Sequence, residues 1–178
     1  MNKKIRYSLG RRLIRRFMQQ NDGHGRAVPN YDESKTFLLL ISSDVELKNI
    51  SPLITKLKSD GKDVHTIIYY PKAKDVPTEA IDNVIYLSRK DFNYLGSPKT
   101  EHSKTLLGKP YDFLINLDMH GHLPVKAVAA FTKAVCRVGF NRDRHSSHFY
   151  DLCFGKRNSG YQITQFMEDI NTYLHRMS

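Results

Sequence analysis

Apolar residues in this chain occur as short continuous runs separated by longer segments with helical spacing. The first run, Thr36–Ile41, is apolar almost throughout, which is typical of a strand buried on both faces. Similar runs predict further strands over Val64–Tyr70, Asn83–Leu87, Asp112–Leu117, Val135–Phe140 and Tyr150–Phe154. The last of these is short, so the pattern predicts a sheet of five or six strands.

Between these runs, apolar residues recur at spacings of three and four, as in helices with one buried face. This spacing predicts helices from Ser43 or Asp44 to Ser59, and over Leu123–Lys133 and Gln162–Arg176. Residues 88–111 are polar and contain several Gly and Pro residues, which predicts a short helix and a surface loop. The alternation of strands and helices predicts an α/β, Rossmann-like fold with a mainly parallel sheet and helices on both faces.

The N-terminal segment has a different pattern, because residues 1–20 predict a basic amphipathic helix. Its apolar side carries Ile5, Leu9, Leu13 and Phe17, with Ile14 and Met18 beside them. Its polar side carries Lys3, Lys4, Arg6, Arg11, Arg12, Arg15 and Arg16. Residues 21–34 contain two Gly and one Pro and predict a linker, so residues 35–178 are expected to form a single α/β domain.

Charge is distributed unevenly along the chain. The formal net charge is +10, but seven of the 28 basic residues and none of the 18 acidic ones lie within residues 1–20. Three alternatives follow for this helix. It packs on the domain or on a second copy, it docks on an anionic membrane surface or a protein partner, or it binds nucleic acid. Nucleic acid is the least favoured, because Tyr7 and Phe17 are the only aromatic residues available for stacking.

The apolar runs, the two cysteines and the N-terminal residues indicate where in the cell the protein is expected. The longest apolar run, Phe37–Ile41, is far shorter than the roughly 20 residues that a membrane-spanning helix needs. Cys136 and Cys153 lie in apolar strand contexts and are predicted to be buried free thiols. The N-terminus lacks the apolar core of a signal peptide. These features predict a cytoplasmic protein, peripheral to the inner membrane if its basic helix docks there.

Polar segments follow three of the predicted strands, at the sheet edge where open α/β proteins bind ligands. Gly121 leads into a helix start, whose N–H groups favour phosphate or carboxylate, and arginines after the next strand can add guanidinium contacts. The residues predicted to hold a small anion are Ser43, His120, Gly121, Arg142 and Arg144. No Gly-x-Gly-x-x-Gly or Walker loop is present, and no cofactor is predicted.

The segment Asp118-x-His120-x-His122 also has the residue types of a zinc site. An extended loop would let one carboxylate and two imidazoles converge, with His145 or His148 as a further ligand. The spacing matches no recognised zinc motif, and the Gly and Pro around it favour a tight turn. Metal binding is therefore the weaker alternative to an anion site or an ordinary polar loop.

Two motifs in the second half of the chain carry a resemblance to a known family. The first is Tyr111-Asp-Phe-Leu-Ile-Asn-Leu-Asp-Met-His-Gly121, followed by an Ala-rich helix, and the second is Cys136-Arg-Val-Gly-Phe-Asn-Arg142. They resemble the N-terminal, acceptor-side domain of lipopolysaccharide heptosyltransferases, glycosyltransferase family 9. That family has a two-domain GT-B architecture, so the chain looks like a bacterial single-domain relative that lacks the half which binds the sugar nucleotide.

The resemblance also implies a role for Asp44. In the family, the loop after the first strand reads Ser-Leu-Gly-Asp-Val and carries a carboxylate implicated as the catalytic base. The corresponding loop here, Ser42-Ser-Asp-Val45, keeps the carboxylate but lacks the glycine. Asp44 therefore has two interpretations, a remnant of that base or the cap of the following helix.

Two functions follow from these observations. The favoured one is a non-catalytic binding or accessory module, similar to one half of a GT-B glycosyltransferase, whose basic helix docks to a membrane or partner. The alternative is a glycosyltransferase-like or nucleotide-handling enzyme, completed by another chain or by formation of a homodimer. In that enzyme Asp44 would act as the base, while His120, Arg142 and Arg144 would hold anionic groups. The absence of a Gly-x-Ser-x-Gly elbow weighs against nucleophilic catalysis.

Overall fold

The computed structural model describes residues 8–10, 12, 14, 16, 28–45, 47–93, 98–99, 109–141, 146, 149–155 and 160–176. Its strands are β1 (Thr36–Ser42), β2 (Asp63–Tyr70), β3 (Val84–Ser88), β4 (Tyr111–Asn116), β5 (Ala134–Phe140) and β6 (Leu152–Phe154). Its helices are α1 (Leu47–Ser59), α2 (Leu123–Phe131) and α3 (Ile163–His175). Short 3-10 turns cover Ala73–Asp75 and Arg89–Asp91.

The six strands form one sheet in the order β3-β2-β1-β4-β5-β6, and every neighbouring pair is parallel. This is the Rossmann-type order, in which the chain crosses from β3 to the far side of β1 before it forms β4. The predicted α/β, Rossmann-like fold is confirmed. The crossing creates a switch point between β1 and β4, at the carboxyl edge of the sheet.

The core lies on both sides of the sheet, as the continuous apolar run in β1 predicts. Phe37, Leu39 and Ile41 point to the side covered by α1 and α3, and they belong to one buried cluster. Leu38 and Leu40 point to the opposite side, where they share a second cluster with residues of α2. None of these five side chains is more than 1% exposed. Because successive side chains point to opposite faces of the sheet, all five apolar side chains of β1 are buried, each in one of the two clusters.

The N-terminal segment contributes to the cluster on the α2 side. Residues 8–10, 12, 14 and 16 are helical, and Ile14, only 1% exposed, is part of that cluster together with Leu38 and Leu40. Gly10 is buried as well, whereas Leu9 is 39% exposed and Arg12 and Arg16 are exposed. The described part of this helix thus packs on the domain through Gly10 and Ile14. The other predicted helix residues, Lys3, Lys4, Ile5, Arg6, Arg11, Leu13, Arg15, Phe17 and Met18, lie outside the described residues.

The predicted linker is too long at its C-terminal end. Tyr31 is buried in the cluster on the α1 side, and its hydroxyl donates a hydrogen bond to Asp60 Oδ2 at 2.6 Å. Burial and the Asp60 carboxylate both raise the pKa of Tyr31. Lys62 Nζ then holds this segment by donating to the carbonyl oxygens of Tyr31 and Ser34. The domain therefore includes at least Tyr31, before the boundary predicted at Lys35.

Asp112 fixes β4 against β1 at the amino end of the sheet. Its Oδ2 atom accepts hydrogen bonds from the N–H groups of Lys35 and Thr36, at 2.7 and 2.9 Å, and from the Thr36 hydroxyl at 3.0 Å. Burial alone would raise the pKa of Asp112, but these bonds and the nearby Lys62 charge hold it below its usual value. The register of β1 and β4, and with it the position of their carboxyl ends, is set here.

Helix boundaries differ from the predicted ones where loop residues form turns. The first helix begins at Leu47 rather than at Ser43 or Asp44, because Val45 N–H donates to Ser42 O and closes a turn. The second ends at Phe131 rather than Lys133, since Thr132 adopts an extended conformation. Among the described residues, no helix has the length and apolar character needed to cross a membrane.

Both cysteines are free thiols, as predicted. Cys136 is buried in the core, whereas Cys153, on the edge strand β6, is only partly buried. Burial and the negative charge of Asp151 raise the pKa of the Cys153 thiol to about 11. Because the thiolate is the reactive form, Cys153 is a poor nucleophile at neutral pH.

Candidate functional site

The candidate site lies at the carboxyl edge of the sheet, at the switch point between β1 and β4. The two strands pair in parallel, with Leu40 opposite Asn116, so they end side by side. The loop after β1 begins with Ser42 and the loop after β4 reaches Asp118. The Ser42 hydroxyl donates a hydrogen bond of 3.3 Å to Asp118 Oδ1, although the two residues are 76 positions apart in sequence. Parallel pairing therefore brings together two polar segments that are distant along the chain.

Asp118 is the centre of the β4 loop. Its side chain is 0% exposed, and its carboxylate accepts hydrogen bonds from three successive backbone N–H groups. The donors are His120 at 3.1 Å, Gly121 at 3.1 Å and His122 at 2.5 Å. Gly121 has a φ of 69°, in the left-handed region that glycine adopts most readily. This conformation turns the chain so that the loop closes around the carboxylate.

The imidazole of His122 completes the surroundings of Asp118. His122 Nδ1 lies 2.9 Å from Asp118 Oδ1. Burial alone would raise the pKa of Asp118, but the bonds from the His122 side chain and from the backbone of His122 and Gly121 outweigh it and lower the pKa. The carboxylate is therefore ionised at neutral pH and lies at the N-terminus of α2, where negative charge is favoured.

A second carboxylate–imidazole pair lies closer to solvent. His120 Nε2 is 2.7 Å from Asp44 Oδ2, and the side chains are 67% and 36% exposed respectively. Asp44 follows β1 and His120 follows β4, so the pair bridges the two loops across the switch point. The rings of His120 and His122 are 6.0 Å apart, and His122 also contacts Tyr69 at the end of β2. We call Ser42, Asp44, Asp118, His120 and His122 the edge cluster.

The structure brings some of the predicted anion-binding residues to this edge and gives others a different partner. Ser43 is exposed beside the edge cluster, and its backbone N–H donates to Tyr69 O. The Gly121 N–H was predicted to contact an external anion. It donates instead to the carboxylate of Asp118. Arg142 and Arg144 lie outside the described residues.

The structure also bears on two other hypotheses, that the loop after β4 binds a metal ion and that Asp44 caps α1. Among the described residues, no group of three or more His, Cys, Asp or Glu side chains is arranged to hold a metal ion. Asp118 instead accepts the N–H groups of its own loop, while His145 and His148 lie outside the described part of the chain. Asp44 is three residues before α1 begins, and its carboxylate contacts His120 rather than serving as the cap of that helix.

A buried polar network supports the edge cluster from below, and sequence analysis missed it. Asn116, in the otherwise apolar strand β4, donates from Nδ2 to the Tyr150 hydroxyl at 2.6 Å, and its Oδ1 accepts the Asp118 N–H at 2.9 Å. The Tyr150 ring lies against Gly139 of β5. A single amide within an apolar run was the available signal, since an unpaired buried amide is costly and requires partners.

Arg137 holds the other end of α2. It is 4% exposed, and its guanidinium donates from Nε to Ala129 O at 3.0 Å and from Nη2 to Thr132 O at 3.1 Å. A positive charge at the last carbonyl oxygens of a helix is favourable. The helix that follows the site thus has a buried carboxylate at its N-terminus and a buried guanidinium at its C-terminus, which fixes its position on the sheet.

The chain belongs to the family of unknown function DUF6913, whose family model matches residues 6–177. No curated protein and no solved structure matches the chain. The matched range includes the N-terminal segment with Ile14 as well as the whole α/β domain. The match therefore covers both the N-terminal segment and the domain on which Ile14 packs.

Proposed function

We propose that the chain is a non-catalytic binding or accessory module, built like one half of a GT-B glycosyltransferase, that binds its ligand at the edge cluster. The observation that carries this proposal is the Asp44–His120 pair, which bridges the loops after β1 and β4 with a contact of 2.7 Å. It lies at the switch point, the position at which open α/β sheets bind ligands.

The exposure of this pair indicates what kind of group it contacts. Asp118 is 0% exposed and surrounded by its own loop, whereas Asp44 and His120 face solvent. A carboxylate oxygen accepts hydrogen bonds from hydroxyl or amino groups, and the second ring nitrogen of His120 can donate or accept. Ser43 is an exposed residue beside the pair, and its hydroxyl can both donate and accept. This combination favours a hydroxyl-bearing ligand, and Arg142 and Arg144 remain the predicted contacts for any anionic group that it carries.

Openness to solvent argues for binding rather than catalysis by the chain alone. Glycosyl transfer requires a site that excludes water, because water competes with the acceptor for the activated sugar. His120 is 67% exposed at the edge of the sheet. The accessory role therefore fits the single chain better than an enzymatic one.

The enzyme remains the second candidate, and the same pair favours it. An exposed carboxylate can act as a general base, and its contact with the His120 imidazole holds Asp44 in place. A second subunit that covered the edge cluster would exclude water, and Asp44 would then act as the base. His120, Arg142 and Arg144 would hold the anionic groups of a nucleotide sugar.

A thermal-shift screen tests ligand binding directly. The panel contains nucleotides, nucleotide sugars, sugar phosphates, neutral sugars and divalent metals. A ligand at 100 times its dissociation constant adds about 2.7 kcal/mol to the free energy of unfolding. We expect Asp44→Asn to abolish the shift, because the bridging carboxylate is lost. Asp75→Asn should keep it, since Asp75 is exposed in the turn after β2 and is the matched control.

The outcomes separate the two functions. A ligand shift that Asp44→Asn leaves unchanged would contradict binding at the edge cluster. Turnover of a nucleotide sugar by the wild-type protein, alone or with a second chain, that is lost in Asp44→Asn would establish the enzyme instead of the module.

We further propose that the basic N-terminal helix docks the chain to an anionic surface, either the inner membrane from the cytoplasm or a protein partner. Leu9, predicted on the apolar side of the helix, is instead exposed, as are Arg12 and Arg16. Gly10 and Ile14 lie on the other side and are buried. Because the inward side already packs on the domain, the outward, basic side is the surface available for docking.

Flotation with lipid vesicles tests the membrane form of this proposal. Vesicles of phosphatidylglycerol and phosphatidylcholine should carry the wild-type chain. Replacing both Arg12 and Arg16 with Gln should weaken binding roughly 30-fold, since each basic residue near an anionic surface contributes about 1 kcal/mol. The control replaces Lys72 and Lys74, exposed after β2, with Gln and should bind like the wild type. Equal loss in both double variants would contradict docking through the helix, and no flotation at all would favour a protein partner.

A further inference from the structure

Tyr69 carries a hydroxyl group to which no described residue makes a hydrogen bond. The residue lies near the end of β2 and is only 5% exposed. Its ring contacts those of Phe92 and His122, with centroids 6.0 and 5.5 Å away. Within the described part of the chain, every fully buried side-chain nitrogen or oxygen has a hydrogen-bond partner. The Tyr69 oxygen, which lacks one, therefore reaches solvent at the end of a ring that is otherwise enclosed.

Arg89 directly follows β3, beside the end of β2. These two strands are parallel, with Tyr70 opposite Ser88, so the residue after Ser88 lies at the carboxyl edge of the sheet. Arg89 is exposed, and it forms no ion pair with any other described residue. Burial raises the pKa of Tyr69, and the nearby positive charge of Arg89 acts in the opposite direction without cancelling it. A phenol that keeps its proton at neutral pH thus lies close to a guanidinium.

Both groups are hydrogen-bond donors. A guanidinium has N–H donors and no acceptor, and it pairs with a carboxylate or phosphate through two parallel bonds. The protonated phenol adds an O–H donor. Asp118 also acts on Tyr69, but its carboxylate is already bonded to the His122 ring and to backbone N–H groups of its own loop. The position beside Tyr69 and Arg89 therefore favours a negatively charged group that only accepts hydrogen bonds.

We propose that Tyr69 and Arg89 form a subsite for an oxyanion, the phosphate or carboxylate group of a ligand, on the β2–β3 side of the edge cluster. Tyr69 contacts His122, whose ring is 6.0 Å from that of His120, so a ligand the size of a sugar phosphate reaches both places. The identity of the whole ligand rests on the proposed function. The subsite itself is tested with free ions, without any ligand of the edge cluster.

Titration of the full chain with inorganic phosphate and, separately, with acetate tests the subsite by thermal unfolding at constant ionic strength. At ten times its dissociation constant, a bound ion raises the ratio of folded to unfolded protein about 11-fold. We expect Arg89→Gln to weaken binding about 10-fold or more, because hydrogen bonds from a charged group are lost. Tyr69→Phe should weaken it about 5-fold. It should leave the stability of the ion-free protein unchanged, since the hydroxyl has no described partner to lose.

Two further variants are controls. Lys90→Gln removes a positive charge from the same exposed turn and should bind the ion as wild type does. Asp44→Asn should also keep ion binding, so a failure of the edge cluster and a failure of this subsite are separate results. Phosphate also stabilises proteins because it is excluded from their surfaces. That effect is the same in every variant and leaves the differences between them unchanged.

The outcomes are distinct. Ion binding that falls in both Arg89→Gln and Tyr69→Phe but not in Lys90→Gln supports the subsite, and the ion that binds more tightly identifies the group. Equal stabilisation of wild type and Arg89→Gln, or equal losses in Arg89→Gln and Lys90→Gln, would overturn it. A loss confined to Arg89→Gln, or an ion-free Tyr69→Phe chain less stable than wild type, would overturn the role of the Tyr69 hydroxyl and with it the proposal.

Discussion

Replacing Gly139 with alanine should lower the free energy of unfolding by about 3 kcal/mol, the upper end of the range for overpacked cores. A Cβ atom at this position would lie 2.6 Å from three carbon atoms of the Tyr150 ring. The ring cannot move away easily, because it is buried in the core and its hydroxyl accepts a hydrogen bond from Asn116. The backbone of Gly139 is held equally firmly, since it lies within β5 between β4 and β6.

Urea denaturation of four proteins measures this contact. They are wild type, Gly139→Ala, Tyr150→Ala and the double variant. We expect the double variant to be at least 1 kcal/mol more stable than the sum of the two single effects predicts, because removing the ring also removes the clash. The opposite result, strictly additive effects, would show that alanine at position 139 destabilises β5 for another reason.

Replacing Arg137 with alanine should cost a similar amount, about 3 kcal/mol. Removing the guanidinium leaves the carbonyl oxygens of Ala129 and Thr132 without this donor in a buried setting, and each lost partner costs about 1–3 kcal/mol. Arg137→Lys should lie between wild type and Arg137→Ala. Lysine keeps the charge, but its single ammonium group cannot reproduce the planar fork that reaches both carbonyl oxygens.

The matched control for Arg137 is Lys133, an exposed basic residue near the same end of α2. Surface substitutions of this kind usually change stability by less than 0.5 kcal/mol, so Lys133→Ala should be nearly neutral in the same urea titration. If Arg137→Ala cost no more than Lys133→Ala, the buried guanidinium would not be what holds the C-terminus of α2.

These two residues also bear on the resemblance to glycosyltransferase family 9. Arg137 and Gly139 belong to the Cys136–Arg142 motif, one of the two on which the resemblance rests. In the structure, the arginine caps a helix and the glycine gives room to a tyrosine ring. Both roles concern packing, so neither residue tests the reaction that the resemblance implies. The chemistry must be tested at Asp44 and His120.

The fold was predictable because burial leaves a clear pattern in the sequence. The apolar run of β1 and the three-and-four spacing of α3 each reflect which side chains face the core, and both elements were predicted within a residue or two. Tyr31 was missed because one aromatic residue in a segment with Gly and Pro gives no periodicity. Its place in the core depends on contacts with Phe37 and Asp60 that local sequence does not encode.

The candidate site was predictable in its location but not in its contacts. Parallel strands end at one edge, so the polar residues after β1 and β4 were expected to lie near each other. The pairing of Asp44 with His120, and the capture of the loop N–H groups by Asp118, depend on side-chain directions that only the folded chain defines. The same holds for Arg137, whose burial could not be inferred from a charged residue in a strand.

The burial of Ile14 has a consequence for the order in which the chain folds during synthesis. The core cluster that encloses Ile14 contains Val125 and Phe149, which the ribosome adds much later. At about 5–20 residues per second, the roughly 110 residues between Ile14 and Val125 take about 6–22 seconds to translate. Throughout that interval the N-terminal helix has no completed surface on which to pack. A nascent chain therefore exposes a basic, partly apolar segment to the cell before the domain that later covers its inner side exists.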